Sequence, residues 1–156
     1  MSSPLSTPRD AFFKSLDEAL FYLFIFAFSY LFVYTIPWVE LFGEDWVDVG
    51  RYLFRIEYLE RGGEERDYTG FSILFSEFIW KGILLAIAAF YADHRDGIYL
   101  VSYVSLLLYS VFTFRRINIL LAIVFFFNPM FVDLIMGQNR MALAFPVLLL
   151  AYSVRQ

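Results

Sequence analysis

An uninterrupted apolar run, ALFYLFIFAFSYLFVYTI, occupies residues 19–36 and contains no charged side chain in eighteen positions. At a rise of 1.5 Å per residue, a helix of this length spans about 27 Å, close to the ~30 Å hydrocarbon core of a bilayer. A cleaved signal peptide has a shorter apolar core that ends in small residues, whereas Phe and Tyr continue here up to Pro37 and Trp38. The run therefore predicts a retained transmembrane helix.

The composition indicates that the chain as a whole, and not only this run, is that of a membrane protein. Of the 156 residues, 60% are hydrophobic and 22% are aromatic, more than a soluble domain of this size can bury in one core. The chain has no cysteine and a single histidine, His94, which excludes thiol chemistry and a structural zinc site. The net charge of −4 comes without a basic stripe, which argues against nucleic acid as a partner. We expect no metal and no cofactor, so any chemistry depends on carboxylates, arginines, tyrosines and amides.

Further apolar stretches follow the first run, and the connections between them are short. Short connections make consecutive helices antiparallel neighbours. We therefore predict an all-α, polytopic membrane helical bundle of about four to five hydrophobic helices, as one domain over residues 19–156 after a polar tail at 1–18. The chain ends directly after the last stretch, and we expect it to be part of a longer protein. The four later stretches are residues 71–92, 98–114, 117–136 and 141–154.

The polar segment at residues 40–70 is predicted to be an external loop. Nine acidic residues and four arginines lie between Glu40 and Asp67. Apolar residues recur within it at spacings of three and four, which indicates an amphipathic helix that lies in the membrane interface. These apolar residues are Trp46, Val49, Leu53, Ile56 and Leu59.

The sequence leaves the membrane orientation open between three topologies. Five plain spans with a cytoplasmic N-terminus oppose the positive-inside rule, and the reversed chain satisfies it. In a third topology, residues 71–92 form a re-entrant pair of half-helices broken at Lys81 and Gly82, which keeps the acidic loop outside. In all three, we expect Trp38 and Trp46 to mark the membrane interface and His94 to be an exposed loop residue.

Polar residues within the apolar stretches are candidates for function because charge at membrane depth is costly. Glu77 and Lys81 have the spacing of an ion pair within one helix. Pro129 predicts a kink.

Asp133 and Arg140 are seven residues apart, so they share a face if the helix continues through Gly137. A carboxylate can accept a proton from a hydroxyl and a guanidinium suits phosphate. The alternative is that Asp133 neutralises a neighbouring helix while Arg140 lies at the headgroup boundary.

Two short segments together resemble the EpsG and Wzy group of polysaccharide polymerases. The first is Gly43-Glu44-Asp45-Trp46 with the later Tyr52, and the second is residues 137–144, GQNRMALA. Members of this group often carry Gly-x-Asp-aromatic with a following Tyr on the outer side of the membrane, then a helix that ends in Gly-x-x-Arg-x-x-(Leu)-Ala. This chain departs from the pattern at Met141, where Gln is common, and it lacks the later helices that usually contain a His.

The resemblance implies an integral protein of the bacterial inner membrane that joins undecaprenyl-diphosphate-linked oligosaccharide units for O-antigen, lipopolysaccharide or capsule. Asp45 or Asp133 is then the catalytic base, and Arg140 binds the diphosphate. Arg51 and Tyr52 line the sugar path. A chain-length regulator or a flippase is the expected protein partner. This glycosyltransferase chemistry requires no metal.

Two other functions remain open from the sequence. One is a non-catalytic membrane subunit that binds lipid-linked sugar or a partner polymerase. The other is a small transporter component. The stretch with Asn128, Pro129 and Asp133 favours this function, because broken helices commonly line binding sites in transporters.

Overall fold

The computed structural model describes residues 8–42, 46–61 and 78–154, and every regular element in these ranges is a helix. We number the α-helices in chain order, with a π-helical turn, Leu31–Thr35, continuing the first. The helices are α1 (Pro8–Tyr30), α2 (Trp38–Phe42), α3 (Val47–Glu60), α4 (Phe78–Phe90), α5 (His94–Phe114), α6 (Ile119–Phe126), α7 (Pro129–Met136) and α8 (Asn139–Val154). The predicted all-α class is confirmed for this part of the chain.

Within the described ranges, two helical segments are long and apolar enough to cross a membrane, Lys14–Thr35 and His94–Phe114. The pair α6 and α7 supplies a third candidate span if it is counted as one, although it is bent by 66°. Helices α4 and α8 are apolar but shorter. These segments indicate a membrane protein, with two clear candidate spans where the sequence predicts four to five.

Helix α5 lies at the centre of the bundle, and α1 packs antiparallel to it. The Phe28 ring lies 5.4 Å from that of Phe114 near the end of α5, and Tyr34 lies 6.4 Å from Tyr99 near its beginning. The bundle therefore has two ends, which we call the Arg115 end and the His94 end after the residues that flank α5. Residues 9–18, which belong to the predicted polar tail, lie in the same continuous helix as the apolar run.

The chain breaks between α6 and α7 rather than bending within one helix, so the predicted kink is a complete interruption. Pro129 occupies the first turn of α7, where its missing N–H costs no hydrogen bond. The Asn128 side chain caps the new helix by accepting a hydrogen bond of 2.9 Å from the Met130 N–H. The cap and the proline together start a second helix in a new direction.

Helix α3 is the predicted amphipathic helix, and its apolar face packs on the bundle. Val49 and Ile56 are buried, with 1% and 0% of their surface exposed. At its end, the Glu60 carboxylate lies 3.1 Å from His94 Nε2. The prediction of an exposed His94 is therefore wrong, because this contact half-buries the imidazole at the beginning of α5.

Helix α4 packs along α3, with the Trp80 ring 4.9 Å from that of Tyr52. It runs from Phe78 to Phe90 through Lys81 and Gly82 without interruption. The break that the re-entrant topology requires at Lys81 and Gly82 is therefore absent from this helix. Glu77, the expected ion-pair partner of Lys81, lies outside the described residues.

Candidate functional site

The ring of Trp46, just before α3, packs on Gly137 between α7 and α8. A Cβ atom added at Gly137 would lie 3.2 Å from Trp46 Cε3 and 2.9 Å from both the backbone oxygen and Oδ1 of Asp133. The φ angle of Gly137 is −97°, so the glycine is required by this close approach and not by its backbone conformation. Trp46 and Trp38, which the sequence analysis expected at the membrane interface, are 8% and 6% exposed, so both rings are buried within the protein.

The helix does not continue through Gly137, so the predicted shared face of Asp133 and Arg140 on one helix is wrong. Helix α7 ends at Met136, and α8 begins at Asn139. The backbone N–H groups of Gly137 and Gln138 both donate to the Asp133 backbone oxygen, at 2.8 and 3.1 Å. The Gln138 side chain then donates to Asp133 Oδ2 at 2.9 Å. These bonds close the last turn of α7, and the chain starts again in α8.

A cleft of about 310 Å³ opens beside this junction, and we call it the junction cleft. Its two carboxylates come from distant parts of the chain, Asp48 in the first turn of α3 and Asp133 in α7. Arg51 is exposed and pairs with Asp48 at 3.1 Å, outside the lining. The lining residues are Phe42, Trp46, Val47, Asp48, Asp133, Gly137 and Gln138.

Tyr52 and Arg140 meet next to the junction cleft. Burial raises the pKa of the Tyr52 hydroxyl above its ordinary value, and the Asp48 carboxylate raises this pKa further. The Arg140 charge and a hydrogen bond from the Arg140 backbone lower it in part. Tyr52 therefore stays protonated at neutral pH, with its hydroxyl at the beginning of α8.

Asn139 anchors the beginning of α8 and was not singled out by the sequence analysis as a site residue. Its side chain is fully buried and donates hydrogen bonds to the Ser102 hydroxyl of α5 and, at 3.1 Å, to the Ile135 backbone oxygen. Its Oδ1 atom has no partner in the part of the chain that the structure describes. An asparagine directly before an apolar run was the available signal, since asparagine is favoured at helix beginnings.

The structure brings together three of the five residues that the sequence analysis proposed. Asp133 lines the junction cleft, and Tyr52 and Arg140 meet beside it. Arg51 lies outside the lining and contacts the cleft through its ion pair with Asp48. The fifth, Asp45, lies outside the described residues. The described ranges contain no group of three or more side chains placed to hold a metal ion.

Comparisons with known proteins find no relative. No protein-family model, no curated protein and no solved structure matches the chain. The arrangement of the site therefore carries the functional argument.

Proposed function

We propose that this protein acts in bacterial cell-surface polysaccharide biosynthesis, where it binds undecaprenyl-diphosphate-linked oligosaccharide at the junction cleft. The observation that carries the proposal is the meeting of two segments that are distant in sequence, residues 46–52 and 137–140. Trp46 packs on Gly137, and the Tyr52 hydroxyl reaches the Arg140 backbone. These are the segments in which the resemblance to the polymerase group resides.

Arg140 is proposed to bind the diphosphate of the carrier lipid. It is exposed and occupies the first turn of α8, where backbone N–H groups and the helix dipole favour an anion. A guanidinium also presents a planar fork of donors that matches phosphate oxygens. The charge and the helix end therefore act on the same ligand group.

The sugars are proposed to lie in the junction cleft itself. Trp46 offers an aromatic surface there, and its buried Nε1 has no hydrogen-bond partner among the described residues. Gln138 and the two carboxylates supply acceptors and a donor for sugar hydroxyls. Tyr52 and Arg51 extend this polar lining toward solvent.

Asp133 is the proposed base if the protein catalyses transfer. In that reaction, the acceptor hydroxyl oxygen attacks the anomeric carbon as the bond to the diphosphate breaks, and Asp133 takes the hydroxyl proton. Arg140 balances the charge of the departing diphosphate. Gln138 donates to Oδ2 of Asp133, which leaves Oδ1 to face the acceptor. Asp45 remains the second candidate for this base.

The His94 end is proposed to face outside the inner membrane, in a multi-pass arrangement. Helices α3 and α4 and the junction cleft share this end, which brings together most of the acidic residues that the structure describes. Arg115 and Arg116 flank the opposite end of α5 and are suited to the cytoplasmic side.

The proposal is tested in cells that make the polymer, with the chromosomal copy replaced by variants. We expect Arg140→Ala to shorten the polymer and to reduce photo-crosslinking to the lipid-linked oligosaccharide at least tenfold. Arg61→Ala is the matched control, because Arg61 is exposed and pairs with Glu57 at the far end of α3. Unchanged crosslinking in Arg140→Ala would contradict the proposed site.

Asp133→Asn separates an enzyme from a binding subunit. We expect this variant to retain crosslinking and to lose the polymer, as a missing base requires. If polymer length and crosslinking are both retained, and Asp45→Asn behaves in the same way, neither carboxylate is the base, and the result favours a non-catalytic subunit that binds lipid-linked sugar.

A further inference from the structure

A second cleft, of about 320 Å³, opens at the His94 end on the other side of the α7 end. Met136 lines this cleft, whereas the next residue, Gly137, lines the junction cleft. Helix α2 separates the two in the same way, since it contributes Glu40 to the second cleft and Phe42 to the first. The second cleft is thus a distinct surface that the proposed function leaves unused. We call it the tyrosine cleft.

Aromatic rings form one wall of the tyrosine cleft. Tyr34 and Tyr99 line it, with ring centroids 6.4 Å apart and an interplanar angle of 83°. Tyr30 and Tyr103 flank Tyr34 at 5.2 and 6.2 Å. Three tyrosines from α1 and α5 therefore contact the Tyr34 ring, and Trp38 lies in the lining beside Tyr34 and Tyr99.

Two carboxylates complete the tyrosine cleft, and both are exposed at its mouth. Glu40 comes from α2 and Asp96 from the first turn of α5. Asp96 acts electrostatically on the Tyr34 hydroxyl. Among the described residues that line the cleft, none is basic, so its charge is negative.

We propose that the tyrosine cleft binds a ligand that carries an ammonium group. The negative face of an aromatic ring attracts a cation placed over it, and groups of rings recognise ammonium ligands in this way. The two carboxylates add Coulombic attraction and repel anionic ligands. The cleft is large enough for a substituted ammonium group together with part of the molecule that carries it.

Two sources fit this chemistry at a membrane surface, an amino sugar and the headgroup of phosphatidylethanolamine. Both present an ammonium group next to hydroxyl or phosphate oxygens. A tyrosine offers both a ring face for the cation and a hydroxyl that can donate to such oxygens.

The first experiment uses the full chain in nanodiscs of phosphatidylglycerol alone. Tetramethylammonium chloride is titrated at constant ionic strength, and binding is followed by saturation-transfer NMR of the methyl signal. The neutral analogue tert-butanol, of the same shape, is the ligand control. We expect saturable transfer to tetramethylammonium and none to tert-butanol. Equal transfer to both, or no saturation with tetramethylammonium, would overturn the proposal.

Variants assign the binding to the tyrosine cleft. The double variant Glu40→Gln with Asp96→Asn is expected to bind tetramethylammonium at least tenfold more weakly, and Tyr34→Leu severalfold more weakly. Glu57→Gln, which removes an exposed carboxylate of α3, is the matched control and is expected to bind as the parent does. Circular dichroism establishes that each variant is folded. A folded double variant with parental affinity contradicts the assignment.

Competition then identifies the source of the ammonium group. Displacement by glucosamine but not by glucose identifies an amino sugar. Displacement by phosphatidylethanolamine in mixed nanodiscs identifies the lipid headgroup. If neither displaces tetramethylammonium, or if glucose displaces it as well as glucosamine does, the assignment of the ligand to an amino sugar or to phosphatidylethanolamine is wrong. Because this test needs no polymer and no diphosphate, its outcome is independent of the function proposed for the junction cleft.

Discussion

The Trp46 ring packs directly on the backbone of Gly137, and this contact joins the residue before α3 to the junction of α7 and α8. A Cβ atom at Gly137 would lie 3.2 Å from Trp46 Cε3 and 2.9 Å from the Asp133 backbone oxygen. The backbone oxygen cannot move without disturbing the end of α7. Gly137 is thus a point of close approach between Trp46, which precedes α3, and the α7–α8 junction.

Gly137→Ala is expected to destabilise the protein by about 1–3 kcal/mol, as insertion of a methyl group into a packed site does. The matched control is Gly82→Ala within α4, where an added Cβ meets no atom within 4 Å. That substitution is expected to be neutral or to stabilise the helix by about 0.5–1 kcal/mol. Denaturant unfolding in detergent measures both, and equal effects of the two substitutions would refute the close approach.

Asn139→Ala is expected to destabilise the protein by about 1–3 kcal/mol, because it removes two buried hydrogen bonds and leaves the Ser102 hydroxyl without this donor. The control is Ser105→Ala, since Ser105 is buried but its hydroxyl bonds only within its own helix, to the Val101 oxygen. A double-mutant cycle of Asn139→Ala with Ser102→Ala measures the coupling. A coupling energy of zero would show that the two side chains do not interact.

Because of Tyr52, the stability of the folded protein is expected to depend on pH in the alkaline range. Burial raises the pKa of its hydroxyl in the folded state, so the unfolded state loses its proton first, near pH ~10. The free energy of unfolding that this pKa difference contributes is fully present below that pH. It is lost as the pH rises through the higher pKa of Tyr52 in the folded state. Relative to Tyr52→Phe, the parent protein is therefore expected to lose stability above about pH 10.

Unfolding midpoints measured from pH 8 to 11 check this expectation, with Tyr58→Phe as the control at a more exposed tyrosine of the same helix. A gap between the parent and Tyr52→Phe that stays constant over this range would contradict the raised pKa.

Residues at the same end of the bundle are expected to lie on the same side of the membrane. Because the native chain has no cysteine, single cysteines report accessibility directly. Asp48→Cys and Gln138→Cys lie at the His94 end, and both are expected to react with a membrane-impermeant reagent from outside. Ile117→Cys lies at the Arg115 end and is expected to be protected. Labelling of positions 48 and 117 together, without 138, would instead indicate five plain spans with the two motifs on opposite sides.

Much of the helical framework was predictable because its signals are local. The length of the apolar run at residues 19–36 and the spacing of Val49 and Ile56 depend only on residues within one helix. Asn128 and Pro129 similarly act on the turn that contains them, although the sequence indicated a kink where the chain has a complete break. Helix count was less predictable, since the apolar character of α4 and α8 does not by itself fix whether a helix crosses the membrane.

The sequence by itself determined the membrane-helical class, the amphipathic character of α3 and the exclusion of thiol chemistry, since composition and periodicity are properties of neighbouring residues. Only the tertiary structure decided that the chain breaks at Gly137, that Trp46 is buried on this glycine and that His94 pairs with Glu60. The break at Gly137 is closed by bonds to Asp133, four and five residues earlier, whereas the other two depend on contacts between residues far apart in the chain. A linear pattern carries no information about which distant side chain fills the space. The junction cleft and the tyrosine cleft therefore arise from packing at one end of the bundle.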